Sequence, residues 1–244
     1  MKSTSSFHQS SYFNQTTDSN DIIASFDFRD IEEKDPSLSE GHKMLYDRDV
    51  PFELRLEDNN GPQEVVSFEA LRCKILCGGV ENNPIQIRIE LSCENDLFFH
   101  FTSDIDEETF KIMKESQKLT VNFVEFSNLV KKLFDNCINE PQAFKVVFIM
   151  QKKDTARLDF IQNIEYKFIE LLSIDLVNSP DETIKKQISY RYNAIRTKLE
   201  LVQNRIQAIS NIVKTKNPSL LLQIQKAPAR LNMTTKTGNP STMK

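Results

Sequence analysis

A run of eight apolar residues with heptad spacing constrains what this chain can fold into more than any other feature of its sequence. After Pro180, apolar side chains fall alternately four and three positions apart, at Ile188, Tyr192, Ile195, Leu199, Val202, Ile206, Ile209 and Val213. This spacing is typical of a coiled-coil seam, since a single helix in water would leave the whole stripe exposed. We therefore predict a short coiled-coil helix over residues 180–216. Two further apolar residues, Leu201 and Ile212, lie off the seam and leave open a helix packed lengthwise on its own domain.

The types of residue along the seam affect how many helices the coiled coil contains. Position d is occupied by Ile188, Ile195, Val202 and Ile209, and position a by Tyr192, Leu199, Ile206 and Val213. Because β-branched residues at d do not favour parallel dimers, the residues predict self-association as a homodimer or a higher oligomer without fixing the number of copies. The seam extends over about 38 Å at about 1.5 Å per residue.

Upstream of this helix, residues 43–179 have the pattern of a β-rich domain. Several stretches alternate apolar and polar residues, which is the signature of strands with one buried face. Two stretches have helical spacing instead: one begins after Asp106, which we predict to be its N-cap, and the other covers Phe126–Cys137. The predicted fold class is α+β: a small β-barrel or sandwich head with an inserted helical pair, followed by the coiled-coil helix. The predicted strands are Met44–Leu56, Val65–Cys77, Ile85–Leu91, Asp96–Phe101, Leu119–Phe123, Phe144–Gln151, Arg157–Ile161 and Phe168–Leu176.

The two ends of the chain are polar and differ in charge. Residues 1–42 are predicted to be a disordered, acidic extension, and residues 217–244 a disordered, basic tail, because neither buries enough apolar surface to offset the entropy of ordering. The net charge of −4 hides +9 from Asp181 to Lys244, where twelve bases face three acids, and hence −13 before it. The basic end is compatible with a microtubule surface, nucleic acid or anionic lipid, and equally with a merely solvated helix and tail.

The sequence shows no constellation of catalytic or metal-binding residues. No phosphate-binding glycine motif is present, and His8, His42 and His100 are isolated, with His100 expected on a strand and partly exposed. Cys73 and Cys77 share a strand face about 13 Å apart, which is too far for one zinc ion. We therefore expect no enzyme activity, no cofactor and no metal, and consider nucleic-acid binding unlikely on the residues alone. The absence of an N-terminal signal peptide or of a bilayer-spanning stretch predicts a chain without a membrane association, with reduced thiols, in the cytosol or nucleus.

The stretch from Ile85 to Cys137 carries a resemblance to a known family. It reads IQIRIELSCENDLFFHFTSDIDEETFKIMKESQKLTVNFVEFSNLVKKLFDNC, with a D-x-F-F run at Asp96–Phe99, an acidic helix start, L-x-V-x-F at Leu119–Phe123 and a phenylalanine-led helix that ends in Cys137. The order and spacing of these motifs are similar to those of the spindle assembly abnormal protein 6 family, the centriolar cartwheel proteins. The similarity continues through residues 144–161 and into the start of the coiled-coil helix.

The resemblance implies a self-assembling, non-enzymatic scaffold. In that family, coiled-coil stalks pair in parallel, and heads pair through a hairpin whose bulky apolar tip enters a pocket on the next head. Counting along the sequence puts the corresponding knob at Leu158, with Phe160 on the same face; both are equally well interpreted as core residues. The short stalk resembles a truncated paralogue of ciliates, apicomplexans and flagellates, which is associated with the flagellar base or apical cytoskeleton.

Two hypotheses follow. The first is a structural protein of the centriole, basal body, axoneme or cilium base, or of a related microtubule cytoskeleton such as the apical complex, which binds copies of itself and contacts microtubule or basal-body proteins with its basic tail. The alternative is a nuclear DNA end-joining scaffold of the same head-plus-stalk architecture, with the basic tail on phosphates.

Overall fold

The computed structural model describes residues 29–57, 64–151 and 154–219. Helix α1, Arg29–Glu32, and a 3-10 segment, Pro36–Gly41, precede the sheet. Seven strands, two further helices and a long C-terminal helix follow. They are β1 (Lys43–Leu56), β2 (Glu64–Val80), β3 (Asn83–Cys93), β4 (His100–Asp106), α2 (Glu107–Gln117), α3 (Phe123–Asn139), β5 (Phe144–Met150), β6 (Thr155–Ile164), β7 (Lys167–Asn178) and α4 (Asp181–Lys216).

The strands form one sheet that closes on itself in the order β1-β2-β3-β4-β7-β6-β5. All neighbours are antiparallel except β1 and β5, which pair in parallel from Phe52 opposite Val146 to Leu56 opposite Met150. The contact between β4 and β7 is short, with only Phe101 and Thr102 in register. Beyond it, the Gln117 side chain at the end of α2 replaces a strand: its amide donates to the Ser173 carbonyl at 2.7 Å and accepts from the Ser173 N–H at 2.9 Å. The Gln117 side chain therefore bonds the backbone of β7 at the point where the chain leaves β4 and enters α2.

The core lies between the sheet and helix α3. Phe126, Val130 and Phe134 follow each other at helical spacing and are fully buried. The Phe134 ring stacks on Tyr46, 5.8 Å between centroids, and meets Phe160 edge-on at 5.0 Å. The helix thus seals the interior with aromatic contacts, each worth about 0.5–1.5 kcal/mol beyond area burial.

The predicted head is confirmed in its coarse form, a seven-stranded, mainly antiparallel sheet with helices, but two predicted strands are wrong in detail. Leu119–Phe123 is not a strand: residues 118–122 form the turn between α2 and α3, where Glu125 accepts a hydrogen bond from the Asn122 N–H at 3.1 Å and so caps α3. Asp96–Phe99 is a turn before β4, in which the Phe99 N–H donates to the Asp96 carbonyl. The Asp106 cap is confirmed, since its carboxylate accepts from the Thr109 N–H at 2.8 Å.

The prediction of disorder for residues 1–42 is wrong for residues 29–42. These residues form α1 and the 3-10 segment, and Asp35, Ser37 and His42 are buried. Hydrogen bonds of polar side chains hold the segment in place. The prediction of disorder considers only the apolar surface that the segment can bury. The predicted disorder of residues 1–28 and 220–244, including the apolar residues 22–28, lies outside the described residues.

Candidate assembly surfaces

The tip of the β6–β7 hairpin presents the most exposed aromatic side chain among the described residues. Ile164 pairs with Lys167, so Glu165 and Tyr166 form a two-residue turn, and Glu165 adopts a left-handed conformation with φ 41°. Such tight turns place their central side chains outside the sheet. Tyr166 is accordingly 96% exposed, and Phe168, two residues on, is 61% exposed.

The same tip extends past its neighbouring strand. β5 begins at Phe144, which pairs with Gln162, so the last residues of β6 have no strand on that side. One charged contact orients the base of the tip: the Lys145 ammonium lies 4.6 Å from the centre of the Phe168 ring and 3.1 Å from Glu53 Oε2. A cation over an aromatic face is attracted to it and limits the positions that the ring samples. The tip therefore presents the Tyr166 ring beyond a base that is held by a charged contact.

The assignment of the knob to Leu158 and Phe160 is corrected by the structure. Their side chains are 0% and 1% exposed, and Phe160 packs on Phe134 in the core. A side chain so placed reaches no neighbouring molecule unless the head opens. The most exposed of the large apolar side chains on this hairpin is that of Tyr166, and the sequence signal for it is the short E-Y turn between two apolar runs.

A buried polar network fixes the first turns of α4 to the head. The Ser37 hydroxyl donates to Glu90 Oε2 at 2.6 Å and accepts from Lys74 Nζ at 3.0 Å and from Gln187 Nε2 at 2.9 Å. The Ser37 hydroxyl therefore uses its one donor and both of its acceptor lone pairs, so none of them is buried without a partner. Asp35 completes the network by accepting from the Ser37 N–H and from Lys74. Burial raises the pKa of Glu90, while the Ser37 hydrogen bond and Lys74 act in the opposite direction.

Two further side chains join the same end of the head to α4. The Arg191 guanidinium donates to the carbonyls of Cys93 at 3.1 Å and Leu97 at 3.0 Å. His100 was expected to be partly exposed, but it is 2% exposed, with Nδ1 2.8 Å from the Ser179 hydroxyl. Burial lowers the pKa of His100 to about 4, helped by the positive charges of Lys74 and Arg191. The ring is therefore neutral at physiological pH and acts as a packing and hydrogen-bonding group.

The predicted seam lies along a continuous helix. α4 begins directly after Pro180, as predicted, and Ile184 and Gln187 face the head and are buried. Ile188 and Val213 at the two ends of the seam are half-buried. The six residues between them are exposed, with Ile195 at 68%, Ile206 at 59% and Leu199 at 54%. The exposed seam residues are Tyr192, Ile195, Leu199, Val202, Ile206 and Ile209.

The described residues offer little reactive chemistry. All four cysteines are buried free thiols, and burial raises the pKa of Cys73 and raises that of Cys137 to about 12, so both are protonated and unreactive. Within the described ranges, no group of three or more His, Cys, Asp or Glu side chains is arranged to hold a metal ion. In the same ranges, no helix has the length and apolar character that crossing a membrane requires.

Comparisons with known proteins agree on one family. The family model described as the centriolar protein SAS N-terminal domain matches residues 44–176. A curated spindle assembly abnormal protein 6 homolog from Danio rerio is 20% identical over 173 residues, which are 68% of this chain and 27% of that protein. A homolog from Xenopus laevis is 27% identical over 119 residues, 44% of this chain and 18% of that protein. The chain thus spans about a quarter or less of the length of these relatives.

Solved structures show the same fold. An N-terminal fragment of Leishmania SAS-6 that contains part of its coiled-coil domain superposes with a TM-score of 0.60 at 15% identity, covering 75% of this chain and 98% of that chain. The N-terminal coiled-coil dimer of C. elegans SAS-6 superposes with a TM-score of 0.52 at 16% identity, covering 68% and 98%. With more than half of its residues matched by the family model, the chain belongs to the SAS-6 family of centriolar proteins, of which it contains the N-terminal domain.

Proposed function

We propose that this chain is a non-enzymatic scaffold of a centriole or basal body that assembles through two separate contacts with copies of itself. The family is one of structural centriolar proteins rather than of enzymes. The observation that carries the proposal is the exposed heptad seam of α4 in a chain whose head has the SAS-6 fold. An exposed apolar stripe of this length marks an interaction surface, because soluble chains rarely leave such area in water.

The first contact is pairing of α4. The six exposed seam residues from Tyr192 to Ile209 would be buried between helices, each contributing about 1.5–3 kcal/mol on full burial before the costs of association. A coiled coil of homologous copies is supported by the C. elegans SAS-6 structure, which is described as a coiled-coil dimer. The number of helices in the coiled coil depends on the seam residues at positions a and d.

The second contact is pairing of heads through the hairpin tip. Tyr166 has the exposure that an inserted knob needs, and the contact between Lys145 and Phe168 reduces the entropy lost when the tip is ordered. Two different self-contacts link each copy to more than one other. Repeated contacts of this kind form a ring if the rotation closes and an open helical filament if it does not.

Localisation tests the proposal in cells. A fluorescent tag on the chain, expressed at its native level in its own cell, should label puncta at centrioles, basal bodies or the base of cilia. Recruitment that depends on assembly should be lost in the variant Ile195→Glu/Val202→Glu. A diffuse or nuclear signal would contradict the proposal. The relatives and structures named above are SAS-6 proteins, so the DNA end-joining alternative receives no support. Contact of the basic tail with microtubule or basal-body proteins is part of the proposal, and truncation after residue 219 in the same assay tests it.

A further inference from the structure

The loop between β3 and β4 presents two apolar side chains beside the first turns of α4. Phe98 is 70% exposed and Leu97 is 47% exposed. The loop is bonded to the helix and to itself, because the Arg191 guanidinium donates to the carbonyls of Cys93 and Leu97, and the Phe98 N–H donates to Asp96 Oδ1 at 3.0 Å. Exposed apolar side chains mark an interaction surface when they adjoin other exposed apolar area, which here is the seam of α4.

The heptad register shows on which side of α4 this loop lies. Around a helix, the positions follow the order f, c, g, d, a and e, so g and e are the two flanks of the seam. The Lys74 ammonium lies 5.9 Å from the centre of the Tyr190 ring at f, and Gln187 at c bonds Ser37. Arg191, which bonds the loop, is at g. The loop therefore lies along the g flank, next to the seam.

Pairing of α4 brings the helix of a second copy to this flank. In a parallel coiled coil, the g flank of one helix faces the e flank of the other. The e position nearest to the loop is Ser189, with Tyr192 at a beside it, and both side chains are exposed within one chain. The apolar surface of Phe98 is thus continuous with the area that the proposed pairing buries, a pairing that the coiled-coil dimer of C. elegans SAS-6 supports.

We propose that Leu97 and Phe98 of each head pack on the e flank of the second copy's α4, around Ser189 and Tyr192. The occupant of this apolar surface is a second copy of the chain, so each head is held by at least two helices of the coiled coil. The inference rests on the proposed pairing of α4 and adds to it a contact between the head of one copy and the helix of another. A head held in this way has fewer orientations relative to the coiled coil, and this angle decides whether repeated contacts close into a ring.

Truncation of Phe98 tests what this contact contributes to pairing. The measurement is sedimentation equilibrium of the full chain carrying Tyr166→Ala, in which association should occur through α4 alone. Phe98→Ala in this background should raise the dissociation constant about tenfold, which corresponds to about 1.4 kcal/mol of association free energy. The matched control is Ile112→Ala, because Ile112 is 71% exposed on α2, which follows the opposite end of β4. This control should leave the dissociation constant unchanged.

Urea unfolding distinguishes a contact between copies from a role in the head's own fold. It is measured in the Ile195→Glu/Val202→Glu background, where pairing should be suppressed, and Phe98→Ala should not change the free energy of unfolding there. A marked loss of stability would overturn the proposal. A Phe98→Ala variant that pairs as tightly as its parent would also overturn it, while leaving the proposed pairing of α4 intact. A parent chain that stays monomeric would refute that pairing and this contact together.

Crosslinking locates the contact. The variant Phe98→Cys/Ser189→Cys is treated with a short bismaleimide, to which the four native cysteines are poorly accessible because they are buried. Position e faces away from the c, f and g positions that contact the chain's own head, so the link should form between copies and give a covalent dimer. The matched control Phe98→Cys/Lys186→Cys has its helix thiol at the exposed b position, and it and the single variant Ser189→Cys should give little dimer. Equal yields from the three would overturn the proposal.

Discussion

Truncation of Tyr166 should separate head pairing from head stability. Its side chain is 96% exposed, so Tyr166→Ala removes almost no contact within the head and should change the free energy of unfolding by no more than about 0.5 kcal/mol. If the ring is buried in a neighbouring head, its loss costs about 1.5–3 kcal/mol of association free energy. Since about 1.4 kcal/mol is a factor of ten, the dissociation constant for head pairing should rise about 10- to 100-fold.

The assay is sedimentation velocity over a concentration series in the full chain carrying Ile195→Glu/Val202→Glu, in which helix pairing should be suppressed and head pairing should be retained. Leu158→Ala in the same background is the matched control, because Leu158 is 0% exposed and its truncation should cost about 2–5 kcal/mol of folding stability through a cavity. If Tyr166→Ala leaves association unchanged, or destabilises the head as much as Leu158→Ala does, Tyr166 is not the residue through which heads pair.

Three further predictions concern the junction between head and helix. The pKa of His100 is about 4 in the folded chain against an ordinary 6.5, so the unfolded chain takes up the proton first as the pH falls. The free energy of unfolding should therefore decrease by up to about 3 kcal/mol between pH 6.5 and pH 4. His100→Asn should abolish that decrease, as measured by urea titrations at a series of pH values. The pKa of Glu90 is raised by burial, so its contribution to stability is present in acid and is lost as the pH rises above the ordinary 4.5. Glu90→Gln, which retains an acceptor for the Ser37 hydroxyl, should therefore be more stable than the parent chain near neutral pH, and a less stable variant would contradict this. Ser37→Ala leaves buried partners unsatisfied and should lower the free energy of unfolding by about 1–3 kcal/mol, whereas Ser39→Ala, at an exposed position, should not; equal effects would argue against the network.

Elements with strong local signals could be predicted from the sequence. The start of α4 follows from Pro180 and the two acids after it, and the start of α2 follows from Asp106, whose carboxylate caps the helix. The alternation in β1, β2 and β3 likewise predicts strands, because each has one face on the core. In each case, residues close in sequence decide the structure.

The errors have two sources, an overlooked helix cap and contacts between distant residues. Leu119 and Val121 alternate like a strand, but they pack on the core from a turn, and the Glu125 cap starts α3 earlier than its apolar spacing suggests. Residues 29–42 are polar, and only the side chains of Lys74, Glu90 and Gln187, far along the chain, make their burial favourable.

The burial of Leu158 and Phe160, the residues predicted as the knob, has a related cause. Apolar residues on β6 look equivalent in sequence, and only the pairing of Ile164 with Lys167 shows that the hairpin turns at Glu165 and Tyr166. Leu158 and Phe160 then fall deep within the strand, opposite Ile174 and Leu172 on β7. Register, which depends on the whole sheet, decides which aromatic residue reaches the tip.

Sedimentation equilibrium of the full chain over a wide concentration range tests most directly whether the exposed stripe of α4 joins copies together. If copies join through this stripe, species heavier than a monomer should increase with concentration and should be largely lost in Ile195→Glu/Val202→Glu. The control Asn193→Glu/Asn204→Glu adds the same charge at exposed positions off the seam and should associate like the parent chain. A parent chain that stays monomeric at every concentration, or two double variants that behave identically, would show that the stripe does not join copies.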